Sequence, residues 1–244
     1  MFVTDLLIAG QARPASNGAA YERRTPATGA VATRAAAATL DDVDAAVAAA
    51  HAAFPGWSAM PPSARRALLL GAAEAMESLR GRIVEAATSE AGGAPAWHRF
   101  NVTQATNMLR DAAAAAAGIA DEVIPSDVPG SLAMGVRQPC GVVVGIAPGS
   151  APVVLGTRAV AMPLACGNTV ILKGSERCPA VHRLIAQAFV DAGFPSGVVN
   201  FLSNAPDDAA RVVERLVAHP AVRRINFTGS TRVAASSRNW PPRT

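Results

Sequence analysis

Lys173 is the only lysine in a chain of 244 residues; every other member of the Lys+Arg set is arginine. It lies in Asn168-Thr-Val-Ile-Leu-Lys-Gly-Ser-Glu176, at the end of a β-branched run and three residues before a carboxylate. A compact ammonium on a flexible stem reaches ligand hydroxyls where a planar guanidinium fork does not fit. Phe227-Thr-Gly-Ser-Thr231 forms a second strand end with a small, hydroxyl-rich turn. The two together point to a nucleotide site. Each also has a plainer reading. Gly229 serves as a turn glycine, Glu176 as a charge at a helix start, and Ser230 as a cap.

The elements that position these residues follow from hydrophobic period. Residues 1–40 read as short strands and turns. Thr39 caps a helix with acidic residues in its first turn, which is expected to run to Phe54 and stop before Pro55. A second helix is expected over 62–88, with Leu68, Leu69, Ala72, Ala75 and Met76 on its apolar face, and a third over 96–120. Residues 122–140 read as an extended hairpin whose edge pairs with something. From Gly141 the pattern is strand 141–147, helix 153–165, strand 169–173, helix 179–192, strand 198–202, helix 207–219, strand 223–228. Strand 141–147 is apolar without alternation, as in parallel sheets. The fold class is therefore α/β, an open parallel sheet with helices on both faces and right-handed crossovers.

In such sheets ligands bind at the carboxyl ends of the strands. Three ends qualify: Ile146-Ala-Pro-Gly-Ser150, Lys173 with Glu176, and Phe227-Thr-Gly-Ser230. Small residues let backbone N–H groups approach a phosphate at a helix N-terminus. A carboxylate near the second strand accepts ribose hydroxyls and disfavours a 2′-phosphate. The standard phosphate loops, G-x-G-x-x-G after the first strand and G-x-x-x-x-G-K-[ST], are absent.

Composition narrows the rest. Half the residues are hydrophobic but only 5% are aromatic, so the core is built from Ala, Val, Leu and Ile. No apolar run approaches the ~20 residues that span a bilayer, and Met1-Phe-Val-Thr-Asp5 has neither basic nor apolar signal regions. The expected setting is cytoplasmic, without a membrane partner. Cys140, Cys166 and Cys178 are an odd set without C-x-x-C, and His51, His98, His182 and His219 lack metal-ligand spacing. Reduced thiols and no metal are expected. Without secretion, the Asn101-Val-Thr and Asn226-Phe-Thr matches carry no glycan. The net charge of +4 is spread without an aromatic-interleaved basic stripe, so nucleic acid is not expected as a partner.

The segments 141–176, 193–202 and 218–231 closely resemble the NAD(P)-dependent aldehyde dehydrogenase superfamily, and the similarity extends back through the N-terminal helices to cover most of the chain, to Val233. N-T-V-x-L-K-x-S-E and F-T-G-S-T at this separation are its most specific marks. Within the superfamily the chain is most similar to enzymes of aromatic aldehydes such as salicylaldehyde. The resemblance implies that NAD is the cofactor, with NADP disfavoured, and that Lys173 and Glu176 meet the adenosine ribose. It implies Gly229 and Ser230 at the pyrophosphate, Phe227 and Val233 bordering the cofactor, and Ile146, Ala147 and Pro148 lining it by backbone. It also implies an oligomerisation arm at 122–140. The corresponding divisions are 1–121, the N-terminal helical region of the NAD-binding domain; 122–140, the arm; 141–233, the Rossmann-like core; and 234–244, an aberrant tail.

Departures from the family pattern set further expectations. The family's nucleophilic cysteine and general-base glutamate lie downstream of F-T-G-S-T, so the catalytic domain is expected to be absent from this truncated chain. None of the three cysteines matches the nucleophile. At the oxyanion position the family's Pro-Trp-Asn is replaced by Pro148-Gly149-Ser150, leaving Ser150 as a shorter donor; one lost oxyanion donor costs about 10²–10³ in rate. Where the family continues Gly-Arg-Ile-Ile-Ala, this chain has Ala234-Ala-Ser-Ser-Arg238. Codons GGC-CGC-ATC-ATC-GCG with one G lost encode those residues, which leads to the hypothesis of a frameshift; coding DNA that does not reopen the family frame near codon 234 refutes it. Three readings remain open on sequence. The chain is an inactive half of an aldehyde-oxidising enzyme, a non-catalytic nucleotide-binding or oligomerisation module, or a defunct fragment with exposed apolar surface.

Overall fold

The structure, a computed structural model, describes residues 1–229. Two short strands, β1 (Phe2–Thr4) and β2 (Leu6–Ile8), are followed by β3 (Gln11–Arg13), β4 (Ala20–Arg24) and β5 (Val31–Ala36). Four helices come next: α1 (Leu40–Ser58), α2 (Pro62–Ser78), α3 (Arg80–Ala91) and α4 (Pro95–Ala117). A hairpin, β6 (Glu122–Ile124) and β7 (Ala133–Gly135), leads into the alternating half. That half is β8 (Val142–Ile146), α5 (Pro152–Ala165), β9 (Thr169–Lys173), α6 (Pro179–Asp191), β10 (Val199–Leu202), α7 (Ala209–Ala218) and β11 (Val222–Phe227).

The main sheet has the order β11-β8-β9-β10-β2-β3. Its first four strands are parallel, and β2 and β3 close the β10 edge as an antiparallel pair. Alternate side chains divide between two layers. Val143, Val170, Leu172, Val199 and Phe201 pack with α2–α6. Val142, Val144, Ile146, Ile171 and Leu202 pack with α1 and α7. Both faces of each central strand are buried, which is why these strands read as continuous apolar runs.

Helix α1 begins as the sequence dictates. Asp42 donates its N–H to Thr39 Oγ1 at 3.2 Å, and Thr39 donates its N–H to Asp42 Oδ2 at 2.9 Å, a reciprocal capping box. Its end departs from expectation, because the helix passes through Pro55 to Ser58. His51, the residue whose carbonyl loses its backbone partner, and Pro55 both lie on the exposed face of the helix. Two residues on, Trp57 is fully buried against Phe194 at 5.1 Å and anchors the last turn. Buried Arg65 then bonds the carbonyls of Ser58, Met60 and Ala165, tying the ends of α1 and α5 together.

The helix expected over 62–88 is two helices. Leu79, at φ −84° and ψ −1°, flattens one turn between α2 and α3. The buried stripe runs through Met76 and Ile83, two turns apart, so period alone does not mark the step. Among the described residues no helix is long and apolar enough to cross a membrane, and no His, Cys, Asp and Glu cluster could hold a metal.

Candidate functional site

The chain runs from β8 through β9 to β10 in one direction and then crosses back to place β11 on the other side of β8. The topological switch point therefore falls between β8 and β11, where doubly wound sheets bind ligands. Register puts the three sequence signals in one row: Phe227 pairs with Ile146, and Ile146 with Lys173. Thr228 donates to the Ile146 carbonyl at 3.1 Å and Ala147 to the Lys173 carbonyl at 3.3 Å, fixing the loops that leave the strands. Ile146 and Ala147 are buried, Pro148 and Phe227 partly buried, and Ser150 and Gly229 exposed. Ser230, Val233 and the tail 234–244 lie outside the described residues.

Lys173 is 4% exposed. Its Nζ stands 3.6 Å from Glu176 Oε2, whose side chain keeps 30% of its surface open. Burial pushes the ammonium below the usual lysine range, and the Glu176 charge pulls it back. A buried cation and a half-open carboxylate thus converge at the end of β9. The loop around them is tight. A Cβ on Gly149 would lie 3.0 Å from Arg177 Cβ and 3.2 Å from Ser175 Oγ, so the β8 loop needs glycine to meet the β9 loop. This donor and acceptor pair, beside a backbone cradle that a side chain would fill, fits a vicinal ribose diol next to a phosphate group.

Two supporting residues were not among the sequence candidates. His182, fully buried on α6, accepts the Ser175 N–H at Nδ1 over 3.2 Å, so the proton sits on Nε2. Burial, and then the Lys173 charge, push its pKa down to about 3. An unfolded histidine protonates near 6.5, whereas this one stays neutral. Its contribution to stability is present above pH ~6.5 and is lost as pH falls from there towards about 3. The share of thermal stability that depends on His182 is expected to fall over that window, read as the difference between the parent and a variant that does not titrate there. His182→Asn keeps an acceptor at the Nδ1 position and should flatten the slope; a slope equal to the parent's refutes the assignment.

The second is Glu90, on the apolar stripe Ile83-Ala86-Ala87-Glu90 of α3 and fully buried. A carboxylate on a buried stripe is the sequence signal that could have found it. Arg158, on α5, also reaches the site from outside the motifs, donating from Nη2 to Thr228 Oγ1 at 3.0 Å.

Comparison with known proteins matches residues 13–237 to the aldehyde dehydrogenase family. The chain belongs to the aldehyde dehydrogenase family. It is 61% identical over 233 residues to a vanillin dehydrogenase of Pseudomonas fluorescens, covering 96% of this chain and 48% of that protein. The crystal structure of a salicylaldehyde dehydrogenase from Pseudomonas putida G7, complexed with salicylaldehyde, superposes with a TM-score of 0.95 at 42% identity, over 97% of this chain and 49% of that one. An NAD-dependent benzaldehyde dehydrogenase from Corynebacterium glutamicum gives 0.91 at 32% identity, over 96% and 51%. The chain thus spans about half the length of the relatives it matches.

Two of the three thiols sit where attack on a carbonyl carbon is disfavoured. Cys178 is buried, its thiol pushed up to about 12 first by burial and then by Glu90. Burial and Cys140 also raise Cys166. A thiol held above its usual range is a poor nucleophile at neutral pH.

Proposed function

We propose that this chain is the NAD-binding half of an NAD-dependent aldehyde dehydrogenase that oxidises an aromatic aldehyde to its carboxylic acid. The observation that carries this reading is the buried Lys173 beside Glu176 at the end of β9, one strand from the switch point. Lys173 donates to the adenosine ribose hydroxyls and Glu176 accepts from them. Ile146, Ala147 and Pro148 line the nucleotide by backbone, Gly229 faces its diphosphate and Phe227 borders the cofactor; the family resemblance extends these two roles to Ser230 and Val233 respectively. Bound there, NAD supplies the hydride acceptor for oxidation of the aldehyde carbon. Ser150 stands at the family's oxyanion position. Aromatic substrates are supported by the vanillin, salicylaldehyde and benzaldehyde relatives. The functional divisions follow the helical region over residues 1–121, the arm over 122–140 and the Rossmann-like core from 141.

Calorimetry of the 244-residue chain tests the reading. NAD should bind, and NADP should bind at least ~10-fold more weakly, because a 2′-phosphate meets the Glu176 carboxylate in a partly desolvated site. Glu176→Gln should narrow that gap. A folded sample that binds neither nucleotide overturns the proposal; equal affinities overturn the role of Glu176.

A second reading, an oligomerisation module, is favoured by one observation. Val123, Ile124, Val128, Leu132, Met134 and Val136 are all exposed on and around the β6–β7 hairpin. Apolar residues so concentrated on a two-stranded ribbon fit a surface that pairs with another subunit. Size-exclusion chromatography showing a monomer at all concentrations excludes it.

A further inference from the structure

Helix α6 follows directly on the Lys173–Glu176 loop, yet Cys178, at its N-cap, makes no side-chain cap bond. The cap comes from elsewhere in the fold. Glu90, on α3, accepts the Ala180 N–H at Oε1 over 2.8 Å and the Val181 N–H at Oε2 over 3.1 Å. Thr33 Oγ1, on β5, donates to the same Oε1 at 2.7 Å. The Glu90 carbonyl in turn accepts from Arg23 Nε at 2.9 Å and Nη2 at 2.6 Å. One buried carboxylate therefore joins the small N-terminal sheet, α3 and the head of α6. We propose that Glu90 is the positioning residue of the nucleotide site, fixing the head of α6 and thereby holding Glu176 opposite Lys173. The inference rests on the nucleotide reading above and deepens it.

The carboxylate satisfies three donors only when ionised. A protonated carboxyl oxygen is a poor acceptor, so protonation releases one of the three. Burial raises Glu90 to about 7, against the bonds from Thr33, Ala180 and Val181 and the charge of Arg23. The groups that face it are Tyr21 and Arg23 from β4, Thr33 from β5, and Cys178 before α6. From α4, His98 donates from Nε2 to the Gly92 carbonyl at 2.6 Å, two residues beyond Glu90. Nucleotide binding should therefore favour the ionised carboxylate. Stability runs the other way. A folded pKa above the unfolded value gives stability that is full below about 4.5 and lost as pH rises through about 7. Opposite trends in affinity and stability distinguish positioning from loosening of the whole fold.

The test is the pH profile of NAD affinity for the 244-residue chain. From pH 8 to pH 6 the dissociation constant should rise about fivefold, the weight of one cap bond. Glu90→Gln should bind at the weak level throughout, with no pH slope. Thr33→Val removes a bond that favours the ionised form, so the midpoint should move to higher pH. Glu90→Gln with the parent's affinity and slope overturns the proposal. If that variant fails to fold, an unmoved midpoint in Thr33→Val overturns it equally. No NAD binding by the parent at any pH overturns the nucleotide reading itself.

Discussion

Lys173→Met should weaken NAD binding by about 10–100-fold, the weight of a charge-assisted hydrogen bond in a desolvated site, while leaving the melting temperature unchanged or raised. Keeping an ammonium charged at 4% exposure is costly, which is why burial drives its pKa down. A contact at 3.6 Å to a partly open Glu176 does not offset that cost. Methionine has a similar length and fills the same space without the charge. A residue that destabilises the fold and is retained is held for what it binds. Calorimetry for NAD and a thermal melt, run on one preparation, check both halves. A variant that melts several degrees lower with NAD affinity intact would make Lys173 a structural residue. Arginine at the same place should not rescue, because the guanidinium fork needs more width than the closed loop allows.

The alternating half of the chain was legible from Gly141 onward because β8, β9 and β10 are buried on both faces. Buried runs of four or five residues, punctuated by Gly167, Gly193 and Gly197 at positive φ, leave little choice of element. The site motifs were legible because they stand at strand ends, and register then set Phe227, Ile146 and Lys173 in one row. The failures lie where long-range packing and local pattern part. Pro55 was misjudged because a local rule weighs propensity whereas the buried Trp57 holds the last turn of α1 by packing, and Leu79 because the buried stripe continues in phase through the step from Met76 to Ile83. His182 and Glu90 matter through the fold: Glu90 is 90 residues from the Ala180 amide it bonds. No spacing rule reaches that far. The antiparallel β2–β3 pair was likewise not assigned to the main sheet. Its docking depends on Asn200, whose Oδ1 accepts the Ala9 N–H at 3.0 Å across the chain.

Gly156→Val should destabilise the chain by about 3 kcal/mol, the upper range for overpacking a core, and so lower its melting temperature by about 6–12 °C. Gly156 is a buried mid-helix residue of α5, a position where glycine costs about 1 kcal/mol against alanine. The sequence keeps it because α6 leaves no room. A Cβ there would lie 2.7 Å from both His182 Cδ2 and Ile185 Cδ1. Ile185 can swing its terminal methyl aside. The His182 ring cannot turn without releasing the Ser175 N–H, since its Nδ1 holds that bond at 3.2 Å. It is also closed in from its other side, where a Cβ on Gly174 would lie 3.1 Å from His182 Cβ. The strain therefore passes from α5 through the imidazole into the loop that carries Lys173 and Glu176, and NAD affinity should fall with stability. Gly56→Ala is the control. It is an exposed helical glycine of α1 with nothing within 4 Å of a built Cβ, and the change should stabilise by about 0.5–1 kcal/mol. Equal melting temperatures for the two variants would mean that α5 and α6 do not meet as closely as these contacts require.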